Sequence, residues 1–413
     1  MKAVVVGGGL AGCAAALELV KSGYEVVLYE ARPTLGGAVQ TLPHREGDPS
    51  PPPDNGQHIA LGCFTEYVAF LAEVGSSGWL RRMPLTLPVA DESGRWSPIS
   101  PLAIALRRYR HLPFRERTAF GAFLKLRSVD ARAHDDETFA HYLSSLGQTD
   151  RAIDRFWDVF IRPALNLRCS EVSAAMGIFT IQTALLAGRR ASDILLPTAP
   201  LGDMHGGAVR AALEQRGVGV ETNARIDDLD ELEADAIVVA VPPRESAQLL
   251  GESEPVLEES PIVSVHLLFD RPILRHPLAA LLASDAHWVF DHGALTGHAP
   301  SHGQYLTVVS SGAPELMQLR GRELVERIAG QLTERLGPAD VLWSRVSREP
   351  RATIALRPGS AASRPGPRTS RPNVTRAGAW TATGWPATME SAVRSGRAAV
   401  EALLSDMTTK VAA

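Results

Sequence analysis

The chain has 413 residues, with 42 Lys and Arg against 46 Asp and Glu, a net charge of -4 and 45% apolar residues. That length and composition suit two ordinary domains with sizeable cores and exclude a disordered chain. There is no clustered excess of positive charge for general nucleic-acid binding, and no run approaches the roughly 20 apolar residues of a membrane-spanning helix. The first strand begins almost directly after Met1, which leaves no room for a leader, so a cytoplasmic protein is expected. Cys13, Cys63 and Cys169 are odd in number and far apart, without C-x-x-C or zinc spacing. Reduced thiols and no metal site are expected.

Ala3 to Val6 is an apolar run that predicts a buried strand, and Gly7, Gly9 and Gly12 then supply a G-x-G-x-x-G turn. In that turn the first glycine bends the chain, the second admits a pyrophosphate to the backbone, and the third lets helix and strand pack closely. Strong helix formers follow from Ala14 to Leu19, Gly23 ends the helix, and Glu25 to Tyr29 predict a second strand closed by Glu30. Gly7, Gly9, Leu10, Ala11 and Gly12 are therefore expected to bind a dinucleotide diphosphate at the helix amino end. Glu30, 18 positions after Gly12, is placed to accept hydrogen bonds from the ribose hydroxyls and to repel a 2'-phosphate.

Glu30 is followed by Ala31, Arg32, Pro33, Thr34, Leu35, Gly36 and Gly37. An acid before A-R-x-x-x-G-G resembles the amine oxidase and phytoene desaturase group of flavoproteins. The resemblance implies FAD, with Ala31 and Arg32 near the adenosine and Gly36 and Gly37 over the diphosphate. It also implies an arginine directly after the two glycines, where this chain has Ala38.

The proline-rich and charged stretch His44 to Pro53 predicts an exposed loop. It leads into Asp54, Asn55, Gly56, Gln57 and His58, then Leu61, Gly62, Cys63, Phe64, Thr65 and Glu66, where a helical pattern starts. D-N-G-Q-H followed by L-G-C-F-T-E resembles the hydroxysqualene dehydroxylase family, also described as squalene-associated FAD-dependent desaturases. The resemblance implies that Gly56 and Gln57 lie against the flavin ring and that His58 faces substrate. Asp54 and His58 are the candidate acids, and a loop held by its own hydrogen bonds is the competing reading.

Pro84 to Pro101 is broken by proline and glycine and is expected to cross into a second domain. From Leu102 to Arg132 the pattern is helical and basic: Arg107, Arg108, Arg110, Arg115, Arg117, Lys125, Arg127 and Arg132 accompany Leu102, Ile104, Leu106, Leu112, Phe114, Phe120, Phe123 and Leu124. Such a segment suits a core-packing helical pair split at Pro113 with solvated arginines, as amphipathic surface helices commonly are, or peripheral contact with an anionic bilayer. Phe156, Trp157 and Phe160 share one helix face, as core or as the lining of a polyisoprenoid tunnel. Leu185 to Pro200 predicts a returning loop.

From Gly207 the pattern predicts a helix, a strand over Gly217 to Glu221 and a buried strand over Ala236 to Val241. The fold family implies an adenine contact from the backbone near Ile226. Pro261 to Asp270, Trp288 to Asp291 and Tyr305 to Ser310 predict strands; beyond Pro314 no alternation is visible, and Arg322 to Leu336 predicts a helix. Finally, Gly378 to Arg397, GAWTATGWPATMESAVRSGR, resembles the flavoprotein closing motif. Gly378, Trp385, Pro386, Ala387, Thr388 and Met389 are expected at the flavin, with Pro386 as first helical residue and the helix amino end favouring the anionic reduced flavin. Ala379 stands where many relatives have an aspartate.

The expected fold is α/β: a Rossmann-like FAD-binding domain built from 1–75, 201–260 and 351–413, with a discontinuous α+β substrate domain from 76–200 and 261–350. The resemblance to the hydroxysqualene dehydroxylase family implies reduction of hydroxysqualene, a polyisoprenoid small molecule, to squalene in hopanoid or triterpene synthesis. A carotenoid-type desaturase and a non-catalytic isoprenoid-binding relative are the alternatives.

Overall fold

A computed structural model describes residues 1–100, 108–117 and 121–412 of the chain. Lys2–Val6 is buried from Ala3 onward on both faces, as a continuous apolar run requires, and sits at the centre of a five-stranded sheet. Across that sheet the strands are Val374–Arg376, Ala236–Val239, Lys2–Val6, Glu25–Glu30 and Gly219–Thr222, all parallel. The helix Leu10–Lys21 leaves directly from the glycine turn. It packs on the closing helix Met389–Ala412 so closely that a Cβ on Gly396 would lie 2.1 Å from the Ala11 carbonyl oxygen.

A second sheet has seven strands in the order Val341–Ile354, Glu259–Phe269, Gln304–Ser311, Trp288–Asp291, Leu278–Leu281, Leu87–Ala90 and Trp96–Ile99. Only the Leu278–Leu281 and Leu87–Ala90 pair among these described strands runs parallel. Val263, Val265, Leu267 and Phe269 pack with Leu324, Ile328 and Leu332 of the helix Gly321–Leu336. Strand alternation turns Ser264 and His266 to the opposite face, toward the loop that carries Gly56.

Several elements differ from the sequence-based expectations. Pro84 to Pro101 contains a hairpin in which Pro88 faces Pro98, with Trp96–Ile99 on the sheet edge, where a missing backbone N–H costs little. Val341–Ile354 is a long strand although Glu349, Pro350 and Arg351 interrupt its pattern; it too is an edge strand. Within the expected loop Leu185 to Pro200, Ile194–Pro197 is a fully buried strand between Ala60–Leu61 and Leu80–Met83. The closing helix begins at Met389, not Pro386: Thr388 accepts the first helical bond, from Ala392 N at 3.0 Å, as suits an N-cap residue.

Phe156 and Trp157 lie in an aromatic interior with Tyr109, Phe123 and Phe139, and Trp157 Nε1 donates to Gln148 Oε1 at 3.0 Å. In the basic segment, Leu102, Ile104, Leu106, Arg107 and Phe120 lie outside the described residues. Helices there run Phe114–Arg117 and Gly121–Ser128.

Candidate flavin and acid site

The glycine turn is built without room for side chains. At Gly7, with φ of 110°, a Cβ would stand 2.4 Å from the Ala240 carbonyl oxygen, and at Gly12 one would stand 1.9 Å from the Gly7 oxygen. Gly9 is the N-cap of the first helix, which has no side-chain cap and no acid in its first turn. Its amino end therefore holds backbone donors suited to a diphosphate. Gly36 and Gly37 close over the turn: Gly36 N donates to Gly8 O at 2.9 Å, and a Cβ on Gly37 would come within 2.9 Å of Gly9 Cα.

Glu30 is buried, and its two carboxylate oxygens accept from Gly8 N at 2.7 Å and Arg32 N at 2.8 Å. Those bonds aim the carboxylate while leaving each oxygen a lone pair for a ribose hydroxyl. Ala31 and Arg32 are exposed, with Arg32 Nη1 donating to Gly37 O at 3.4 Å. Asn223 N donates to Arg32 O and Ala224 N to Glu30 O, which brings the segment leading to Ile226 beside the acid; Ile226 itself packs partly buried against Val4, Val6 and Val239. An uncapped helix end, a glycine cradle and an aimed carboxylate together fit the adenosine diphosphate half of a dinucleotide.

Residues 378–389, the candidates for the other half, form a second cradle. A Cβ on Gly378 would lie 2.3 Å from Trp380 Nε1, and Gly378 N donates to Ser395 Oγ at 2.9 Å. Trp385 packs edge-on against Phe64 and Phe179, with the Arg394 guanidinium 4.7 Å from its ring centre. Pro386, Ala387, Thr388 and Met389 lead into the closing helix. Since that helix crosses the first helix at Gly396 and Ala11, its amino end lies about 10 Å further along, at 1.5 Å rise per residue. Two helix amino ends therefore stand near one another. Glu390 is fully buried and accepts from Glu66 N at 3.2 Å and Tyr67 N at 2.8 Å, tying the helix Thr65–Glu73 to the same place.

The D-N-G-Q-H stretch runs between this region and the second sheet. Asp54 Oδ1 accepts from Thr41 Oγ1 at 2.6 Å and Leu201 N at 3.0 Å, and burial pushes its carboxyl up to about 7 against those two bonds. Asn55 is buried and donates to Ala38 O at 2.8 Å. Gly56 rests on the second sheet, where a Cβ would meet Ser264 Oγ at 2.8 Å, and Gln57 is half-buried. His58 Nδ1 lies 3.1 Å from Gly56 O, and burial holds its imidazole below the usual range, hence neutral. Phe160 is partly buried at the rim of the aromatic interior.

Sequence reasoning missed what fixes this loop. Its approach, His44 to Pro53, is exposed from His44 to Gly47 as expected, but it is pinned by a buried ion pair between Asp48 and Arg345, and Arg345 Nη2 donates to Pro43 O at 2.9 Å. Arg345 belongs to the long edge strand that the sequence pattern hides. His205, also missed, bonds Tyr67 OH through Nε2 at 2.8 Å and faces Leu201 O through Nδ1 at 3.1 Å, beneath Gly36.

A parallel sheet, a glycine turn at a helix amino end and an acid on the second strand define a dinucleotide-binding oxidoreductase. More narrowly, the chain belongs to the flavin containing amine oxidoreductase family, whose pattern matches residues 10–404. It is 29% identical to a hydroxysqualene dehydroxylase of Sinorhizobium fredii, over 98% of this chain and 99% of the relative. It is 26% identical to a zeta-carotene desaturase of Synechocystis, over 98% of each chain. Among solved structures, a cyclohexylamine oxidase from Brevibacterium oxydans superposes with a TM-score of 0.74 at 19% identity, covering 98% of this chain and 99% of the other. The enzyme is thus a flavin oxidoreductase.

Proposed function

We propose that this enzyme binds FAD and reduces hydroxysqualene to squalene. The observation that carries the reading is the Asp54 carboxyl, pushed up to about 7 on a loop beside the glycine cradle. A general acid works best with a pKa near the operating pH. Because Oδ1 already accepts two donors, the proton resides on Oδ2, free to pass to a leaving hydroxyl. His58, held neutral, is the weaker acid and serves instead to orient substrate or water.

Bound FAD in its reduced form supplies the hydride. The chain's own residues do the rest: Asp54 protonates the allylic hydroxyl so that the C–O bond breaks and water leaves, and Gly56 and Gln57, on the loop packed against Ser264, would hold the flavin when it is bound. Phe160 and the aromatic interior behind it, with Phe156 and Trp157, exclude water that would otherwise capture the cation. The full-length similarity to hydroxysqualene dehydroxylases supports the same substrate. Carotene desaturation, the second reading, is favoured by similarity to the zeta-carotene desaturases, but it removes hydride from a hydrocarbon and has no use for a protonated carboxyl. Incubation with hydroxysqualene and with a carotene, each followed by product mass, separates the two; conversion of the carotene alone would overturn the proposal.

An apolar substrate also suits membrane contact. Phe114 and Leu124 are 70% and 71% exposed and flanked by Arg115, Arg117, Lys125 and Arg127, which together favour an anionic bilayer surface. Among the described residues no helix is long and apolar enough to cross a membrane. Flotation with anionic but not with neutral vesicles is the expected result.

A further inference from the structure

Three arginines are buried among the described residues: Arg345, Arg364 and Arg376. Arg345 is paired with Asp48 and Arg376 with Glu252. Arg364 differs. Its guanidinium donates to four backbone carbonyls, those of Ala379 at 3.0 Å, Trp380 at 3.3 Å, Thr381 at 2.5 Å and Trp385 at 2.7 Å, and among the described residues it has no carboxylate within ion-pair distance. Burial alone draws it down to about 10, with no neighbouring acid opposing the fall. A buried cation without an anion is costly, so a negative charge brought close to it would be favoured.

The four carbonyls belong to the loop that leads into the closing helix, and that helix adds its own partial positive charge. The nearest acid on the helix, Glu390, is committed to Arg394 and to the amino end of Thr65–Glu73. Neither Ala38 nor Ala379 contributes a side-chain charge or donor. A guanidinium bonded to peptide oxygens polarises those peptide units; Thr381 N already donates to Gly378 O and Ala382 N to Pro365 O, and Pro386 has no N–H, so the polarised donor left to act is Trp380 N.

We propose that Arg364 is a positioning residue for the flavin, acting through its own charge and through the Ala379–Trp380 peptide unit to favour the negatively charged reduced form over the neutral oxidised form. The proposal rests on the flavin reading of residues 378–389. It assigns to one arginine, outside the glycine motifs, the electrostatic role left open by the two alanines. Stabilising the reduced form would raise the midpoint potential of a bound flavin.

The test compares the natural chain with Arg364→Met and Arg364→Lys, all loaded with FAD. The midpoint potential is read by anaerobic dye equilibration, and oxidised-FAD affinity by fluorescence titration. In Arg364→Met, affinity for reduced flavin should fall about tenfold more than affinity for oxidised flavin, a drop of about 30 mV for a two-electron couple. Arg364→Lys, which keeps the charge with fewer donors, should recover part of that drop. Equal loss of affinity for both redox forms, or an Arg364→Lys potential no better than that of Arg364→Met, would show a mere loop staple and overturn the inference. If Arg364→Met does not fold, the Arg364→Lys potential decides alone: a small fall supports the inference, and no change with weakened binding of both forms overturns it. A natural chain that binds no flavin would overturn the flavin reading as well, and so is distinguishable from failure of this inference alone.

Discussion

Replacing Asp54 by Asn isolates the protonated carboxyl at the heart of the proposed chemistry. Asn keeps the shape and leaves Oδ1 to accept from Thr41 and Leu201, but it carries no transferable proton. The carboxyl is raised from 3.8 to about 7 in the folded chain. Roughly three pH units at about 1.4 kcal/mol each amount to about 4 kcal/mol favouring the protonated form, as an upper bound. The sign follows from linkage: between about 4 and about 7 the unfolded chain has lost this proton and the folded chain has kept it, so the group makes native stability fall as pH rises across that window. Urea denaturation of both chains from about pH 4 to about pH 8 should show the Asn variant gaining on the natural chain through the window, by up to about 4 kcal/mol, and levelling above it. Turnover of hydroxysqualene should fall by about 10²-fold or more with flavin still bound. Parallel stability profiles, or turnover within about twofold of the natural chain, would refute the assignment of Asp54 as the acid.

Other outcomes follow from the same geometry. Gly12→Ala puts a methyl 1.9 Å from the Gly7 oxygen, a backbone atom that cannot swing aside, so flavin retention should be lost with a penalty of about 3 kcal/mol in chemical denaturation. Glu390→Ala strips two helix-end N–H groups and Arg394 of their shared acceptor, and should cost about 3 kcal/mol by the same assay. His266 is buried and drawn down to about 3, so it is neutral in the folded chain while the unfolded chain takes a proton below 6.5; its share of stability is lost as pH falls from 6.5 toward 3. His266→Phe should therefore unfold less steeply in acid, read by circular dichroism. Trp157→Ala, which opens a large void in the aromatic interior, should lower stability by about 4 kcal/mol even in flavin-free protein.

Those variants fall on both legible and hidden parts of the chain. The first βαβ unit announces itself because its signals are local: a run of valines, three glycines whose spacing is steric, and an acid fixed by distance along the chain. Asp54 was legible as a candidate acid, but its raised affinity for a proton comes from burial, which outweighs the opposing bonds from Thr41 and Leu201 and which no local pattern encodes. The edge strands Trp96–Ile99 and Val341–Ile354 escaped because an edge tolerates prolines and charges that break an alternating pattern. Arg345 and Arg364 were invisible for a related reason. An arginine in a sequence reads as solvated, and only tertiary structure shows that Arg345 clamps Asp48 from some 300 residues away in the chain. The start of the closing helix shifted by one turn because Thr388, a good N-cap, prevailed over Pro386, a good first residue.

The central claim, that reduced flavin on this chain converts hydroxysqualene to squalene, is tested most directly by a single anaerobic turnover. Protein loaded with FAD and chemically reduced is mixed with hydroxysqualene, the flavin is followed by its visible absorption, and the product is weighed by mass spectrometry. One squalene formed per flavin reoxidised is the predicted result. Flavin that stays reduced with hydroxysqualene intact would contradict the account.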